Sequence, residues 1–127
     1  LGQAATSVAA QLTALPLVGL TAVERLRRLV RGQFDFFLGH PEHCAVLTTA
    51  RGAGSWADLA VEPVAALLSA GQATGFFRDD IDPKSHARLA LLVTLGYFAL
   101  TPVSSRWGPA AEWRDRVADL IVRGCTW

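Results

Sequence analysis

The chain has 127 residues, of which 51% are hydrophobic and 18% charged, with a net charge of +1 and a mean hydropathy of +0.30. That length fits one domain with a real core and no need of disulfides or a structural metal, and the composition excludes disorder. The near-neutral charge lacks the electrostatic footprint of a nucleic-acid-binding domain, and Cys44 and Cys125 make no disulfide framework, so free thiols in a cytoplasmic protein are expected.

Strand alternation is nearly absent, and apolar residues recur at helical spacing between punctuation marks, which predicts an all-α fold of about six helices. The first runs from roughly Gln3 to Ala14, with Val8 and Leu12 on one face, and stops before Pro16. No basic segment followed by an apolar stretch marks a signal peptide there. Thr21 with Glu24 three residues on reads as a capping box for the second helix. Its stripe is Val23, Leu26, Val30, Phe34 and Phe37, with Glu24 and Arg28, and Arg31 and Asp35, spaced to pair across a turn. Gly39 ends it. Pro41 opens the third, which carries Cys44, Val46 and Leu47 and ends near Gly52.

Ser55 caps the fourth helix, whose predicted stripe is Trp56, Leu59, Pro63, Leu67 and Ala70, with a kink expected at Pro63 and Gly75 as terminator. Asp82 and Pro83 start the fifth as cap and first residue, and it runs to about Thr101. Leu89 to Val103 is the longest apolar run, shorter than the roughly 20 residues of a spanning helix. Thr94, Gly96, Thr101 and Pro102 interrupt it, so it reads as a buried or interface helix rather than a membrane one. The sixth begins near Pro109, places Trp113, Val117, Leu120 and Ile121 on one face, and closes at Gly124.

Catalytic and metal chemistry find little support. His40, His43 and Cys44 lie close together, but neighbours on a helix diverge by about 100° and no second ligand cluster joins them. Gly52-Ala53-Gly54-Ser55 lacks the Lys and Ser/Thr of a phosphate loop and reads as a plain interhelical connection. Asp79, Asp80 and Asp82 sit in a turn, where capping and solvation account for them, and Arg25, Arg27, Arg28 and Arg31 read as a solvated face. No enzyme, cofactor or metal is expected. The aromatics Phe34, Phe36, Phe37, Trp56, Tyr97, Phe98 and Trp113 spread over four predicted helices. Their pattern fits equally a filled core and a cavity wall with Gln33, Thr94 and Tyr97 as polar groups.

One segment is distinctive: Gly71-Gln72-Ala73-Thr74-Gly75-Phe76-Phe77-Arg78-Asp79-Asp80-Ile81-Asp82-Pro83. Together with Glu24-Arg25-Leu26 leading to His40-Pro41-Glu42, and the ending Leu120-Ile121-Val122-Arg123-Gly124, it resembles the regulatory part of TetR-type bacterial transcriptional repressors over roughly Thr21 to Gly124. The resemblance implies one regulatory domain, residues 1–127, that senses a small, largely apolar effector between its middle helices. The implied pocket residues are Gln33, Phe34, Phe37, Leu47, Trp56, Leu59, Leu67, Thr94, Tyr97 and Phe98. It also implies a homodimer in which the last two long helices pair with those of a second chain, and the surplus apolar surface there points the same way. Leu91, Leu95, Trp113, Val117, Leu120 and Ile121 are the implied interface residues. The three-helix DNA-binding unit of that family, with its Tyr-rich turn followed by Lys, has no counterpart before Leu1. Operator DNA would therefore be reached only through a unit absent from this chain, and the Gln3–Ala14 helix would be the connecting lever. The alternative is a free-standing helical carrier, or a small enzyme for an apolar ligand.

Overall fold

The computed structural model describes residues 10–11, 17–42 and 54–127, with side chains from residue 59 onward in the last stretch. The described chain is all-helical: α1 (Ala22–Gly39), α2 (Gly54–Ala73), α3 (Pro83–Ala99), a single turn α4 (Thr101–Ser104) and α5 (Ala110–Cys125). Of the expected first helix only residues 10–11 are described, both helical, and the third beyond Glu42 lies outside the described residues.

The start of α1 is the capping box read from the sequence. Glu24 N–H donates to Thr21 Oγ1 at 3.1 Å, and Thr21 N–H donates to Glu24 Oε2 at 3.3 Å. Leu26, Leu29, Val30, Phe34 and Phe37 are buried along one side of the helix. Its C-terminus is closed by His40, whose Nδ1–H donates to Phe36 O at 2.9 Å and whose ring stacks on the Phe36 ring at 4.5 Å. His40 is thus a helix-ending residue, as a turn position would suggest.

In α2 the buried face is Ala60, Val61, Val64, Ala65 and Leu68. The predicted stripe was offset: Leu59 and Ala70 are exposed and Leu67 is half-buried. The helix is apolar on both sides, so two stripes of equal spacing compete, and packing against α3 selects the one with the smaller residues.

The connection to α3 explains the distinctive segment residue by residue. A methyl group on Gly71 would overlap the Phe77 ring, so the bare glycine lets buried Phe77 fold back onto the helix. Gly75 turns the chain at φ 80°, where side chains are strained. Gln72 Nε2 donates to Arg78 O at 2.9 Å and Ile81 O at 2.8 Å, stitching the turn shut. Asp82 then caps α3, accepting from Ser85 N–H at 3.0 Å and Ser85 Oγ–H at 2.7 Å.

α3 ends at Ala99, two residues before the expected limit, and the single turn α4 follows it. The hydroxyls of Thr101 and buried Ser104 turn back onto Phe98 O and Tyr97 O at 2.6 and 3.1 Å. They satisfy carbonyls that the helix end would otherwise leave open.

α2 packs along α3, α1 along α5, and α1 and α3 close the centre. The α1–α5 contact is rimmed by ion pairs: Arg27 with Asp119 at 3.1 Å, Arg31 with Asp115 at 3.1 Å, and Asp35 with Arg114 at 3.3 Å. Numbers rise on one helix as they fall on the other, so the two run antiparallel. Two of the arginines expected on a solvated face, Arg27 and Arg31, are therefore interhelical partners. Arg31 reaches α5 rather than Asp35, because α5 presents its carboxylates along that seam.

Candidate functional site

The ring-bearing faces of α1 and α3 meet at the centre of the bundle. Phe34 lies 5.0 Å from Tyr97 and 4.9 Å from Phe98, both tilted, and Phe37 lies 6.3 Å from Phe98. Tyr97 and Phe98 are edge-to-face at 5.1 Å. Such pairs add about 0.5–1.5 kcal/mol beyond the burial of their area. From Tyr97 the rings continue outward, to Trp113 at 6.5 Å and on to Trp107 at 5.8 Å. Trp113 Nε1–H donates to Trp107 O at 3.1 Å, pinning the outer pair.

Two polar side chains on the same helices, Gln33 of α1 and Thr94 of α3, are buried without hydrogen-bond partners among the described residues. Gln33 is fully buried, and neither its Nε2 nor its Oε1 has a hydrogen-bond partner among the described residues. Thr94, one turn before Phe98, is also fully buried, and its Oγ1 is likewise unpartnered. An orphaned buried donor or acceptor costs about 1–3 kcal/mol, which a stable core normally avoids. Other fully buried side chains of α1 and α2 are apolar, among them Phe34, Phe37, Val30, Leu26 and Leu68.

Of the residues implied for a pocket, the structure brings together Phe34, Phe37, Tyr97 and Phe98 as touching rings, and buries Gln33 and Thr94 beside them in sequence. Leu67 instead lines a groove of about 290 Å³ with Leu20, Arg25, Gly71 and Phe76. Leu59 is exposed. Leu47 and the Trp56 side chain lie outside the described residues, as do Cys44 and His43.

A second feature is on the surface. Leu89, Leu92, Leu100, Val103, Trp107 and Leu120 are all exposed, Leu92 to 67% and Leu120 to 54%. Leu89, Leu92, Val93, Gly96 and Leu100 are spaced by three and four, so they share one side of α3. Between α3 and α5 runs an apolar groove of about 250 Å³, lined by Val93, Gly96, Tyr97, Leu100, Trp107, Trp113, Arg116, Val117 and Leu120. A methyl group built on Gly96 would meet nothing within 4 Å, so the chain itself leaves the space above Gly96 open. The implied interface residues divide here. Leu120 is exposed and Trp113 half-buried in the groove, whereas Leu91, Leu95, Val117 and Ile121 are covered by the chain's own helices. The periodicity of α5 put Leu120 with Val117 and Ile121; its buried face is Val117, Ala118, Ile121, Val122 and Cys125.

Other ionisable groups of the turn and of the α3–α5 contact have structural partners. His86 Nε2 donates to Ile121 O at 2.8 Å, and a methyl on Gly124 would meet the His86 ring at 2.7 Å. Arg78 forms two hydrogen bonds to Asp80, at 2.6 and 2.9 Å, which hold the Asp80 carboxyl below the usual carboxylate range. The Ser85 hydrogen bonds do the same for Asp82. Burial pushes the Cys125 thiol up to about 11. The sequence points to Phe76 and Phe77 as packing the turn, and of the two Phe77 is buried and Phe76 exposed; the roles of Gln72, Trp107 and the interhelical ion pairs are not legible in it. The one available signal was Gly71 inside a helix, where glycine costs about 1 kcal/mol unless something needs the space.

The chain is similar to the HTH-type transcriptional repressor NicS of Pseudomonas putida, with 31% identity over 122 residues, covering 80% of this chain and 57% of that protein. It thus spans little more than half the length of this relative. No family model matches the chain, and no solved structure does. That relative is named as a transcriptional repressor. No helix among the described residues is long and apolar enough to cross a membrane.

Proposed function

We propose that this chain is the effector-sensing and dimer-forming part of a TetR-type transcriptional repressor, acting in the cytoplasm. The observation that carries the reading is the exposed apolar side of α3 and α5. Isolated leucines on a surface need no explanation, but a continuous face with an open glycine at its centre favours a partner. The partner is a second copy of the chain. A two-fold arrangement would lay Leu92 and Leu120 of each copy over the other's groove, and Gly96 would let the two α3 backbones approach closely.

Sensing would follow from the ring series. Tyr97 belongs both to the buried cluster, through Phe34, and to the groove wall, beside Trp113. A small molecule lodged against Phe34 and Phe98 would therefore displace a side chain that also shapes the dimer face. If the ligand binds one dimer geometry better than the other, it shifts the population between them. DNA-binding units attached ahead of the chain would then lose the spacing two half-sites require.

Fusion of the chain to a monomeric DNA-binding head, with repression of a two-half-site reporter as readout, tests the dimer step in cells. The chain should restore repression, and Gly96→Leu should abolish it, since a Cβ there meets nothing within 4 Å and the longer side chain would fill the space a second α3 needs. Equal repression by the variant would remove the proposed face from the reading.

A further inference from the structure

We propose that the groove between the start of α1 and the end of α2 binds a small amphiphilic carboxylate, with Arg25 pairing the acid and the apolar walls holding its body. The site shares no residue with the ring cluster or the α3–α5 groove, and it does not depend on the regulator reading. Leu20, Ala22, Leu67, Ala70 and Phe76 give the groove its apolar walls, and Phe76 stands 61% exposed there. The hydroxyls of the lining are already engaged. Thr21 Oγ1 accepts from Glu24 N–H at 3.1 Å, and Thr74 Oγ1–H turns back to Ala70 O at 3.2 Å. Arg25 is the one ionic side chain in the lining.

Arg25 differs from Arg27 and Arg31 of the same helix, which pair with Asp119 and Asp115. It is half-buried and has no carboxylate partner among the described residues. Its Nε–H donates to Leu20 O at 3.1 Å, which holds the guanidinium beside the groove, while its terminal nitrogens make no hydrogen bond among the described residues. A guanidinium presents paired donors that match a planar carboxylate. A single cation balances a single charge, so the acid is a monoanion rather than a phosphate ester. The other walls offer methyl groups and a phenyl ring, so the rest of the ligand is hydrocarbon. The groove volume of about 290 Å³ sets its length. At about 30 Å³ for each water-sized group, it holds on the order of ten heavy atoms, the size of an acid of about eight carbons.

The test uses the whole chain with four probes: octanoate, octanol, octylamine and acetate, each kept monomeric in solution. Binding is measured by calorimetry and by NMR of the Arg25 Nε–H signal, assigned by its loss in Arg25→Gln. Octanoate should bind about tenfold or more tighter than the other three, a difference typical of a hydrogen bond to a charged group made or missed. It should also shift the Arg25 signal. Arg25→Gln should bring octanoate down to the octanol level. Ala70→Leu keeps the arginine, alters an exposed position and fills the groove, so it should remove octanoate binding in a chain that stays folded. Octanoate no tighter than octanol or acetate, full octanoate affinity in either variant, or no binding by any probe would overturn the proposal, and each of these results would leave the dimer face untouched.

Discussion

Gly71 and Cys125 illustrate what single residues decide. Gly71 carries the close approach of Phe77, so Gly71→Ala forces a methyl into a ring that is itself buried. Overpacking of this kind costs about 1–3 kcal/mol. Thermal unfolding should show that loss for Gly71→Ala and little for Gly39→Ala, whose added methyl meets nothing within 4 Å. Cys125 is fully buried, and its Sγ–H donates to Val122 O at 3.4 Å. With its thiol raised to about 11 from an ordinary 9.0, the folded chain keeps a proton that the unfolded chain releases in that interval. Stability should therefore fall as pH rises from about 9 to about 11. Cys125→Ala should remove that part of the slope in denaturant titrations across this range. Both residues were visible in the sequence, but their partners lie elsewhere in the chain or beyond a turn, and spacing alone does not reveal what a glycine makes room for.

Among the helices, legibility followed how one-sided each sequence is. α1 alternates charged and apolar residues, so its cap, its length and most of its buried face could be read directly. α2 is rich in Ala, Val and Leu on both sides, and the choice of Leu59 and Leu67 over Val61, Val64 and Leu68 was an even one that only packing resolves. α5 shows the same ambiguity at Leu120. The ion pairs between α1 and α5 could not be found by reading within a helix, since Arg31 and Asp115 are joined only by the fold. Both side chains are about half exposed, 42% and 54%, so the pair contributes no more than about 1 kcal/mol. Its larger effect is on register. Asp115→Lys places a cation beside Arg31 and Arg114, and should destabilise the chain more than Asp115→Ala does. That excess should shrink in molar salt, where such charges are screened. An excess independent of salt would mean that Asp115 acts through packing.

At the scale of the molecule, two features stand out among the described residues: the buried Gln33 and Thr94 side chains have no hydrogen-bond partners, and Leu89, Leu92, Leu100 and Leu120 are exposed on α3, its C-cap and α5. The all-α class and the surplus of apolar residues were legible from composition and periodicity. The division of that surplus between core and surface was not, because it depends on which side of α3 and α5 the other helices leave bare. Tyr97 touches Phe34 on one side and lines the apolar groove on the other, so it joins the ring cluster to the exposed face. A ligand-responsive dimer accounts for both at once, and its dimer half can be measured without knowing the ligand or the operator. Sedimentation equilibrium of the chain at micromolar concentration is the most direct test. The account predicts a mass twice the 13.6 kDa of one chain, falling to 13.6 kDa when Leu92→Glu and Leu120→Glu are combined in a protein that remains helical. A 13.6 kDa particle from the unaltered chain, or a dimer indifferent to both substitutions, would contradict it.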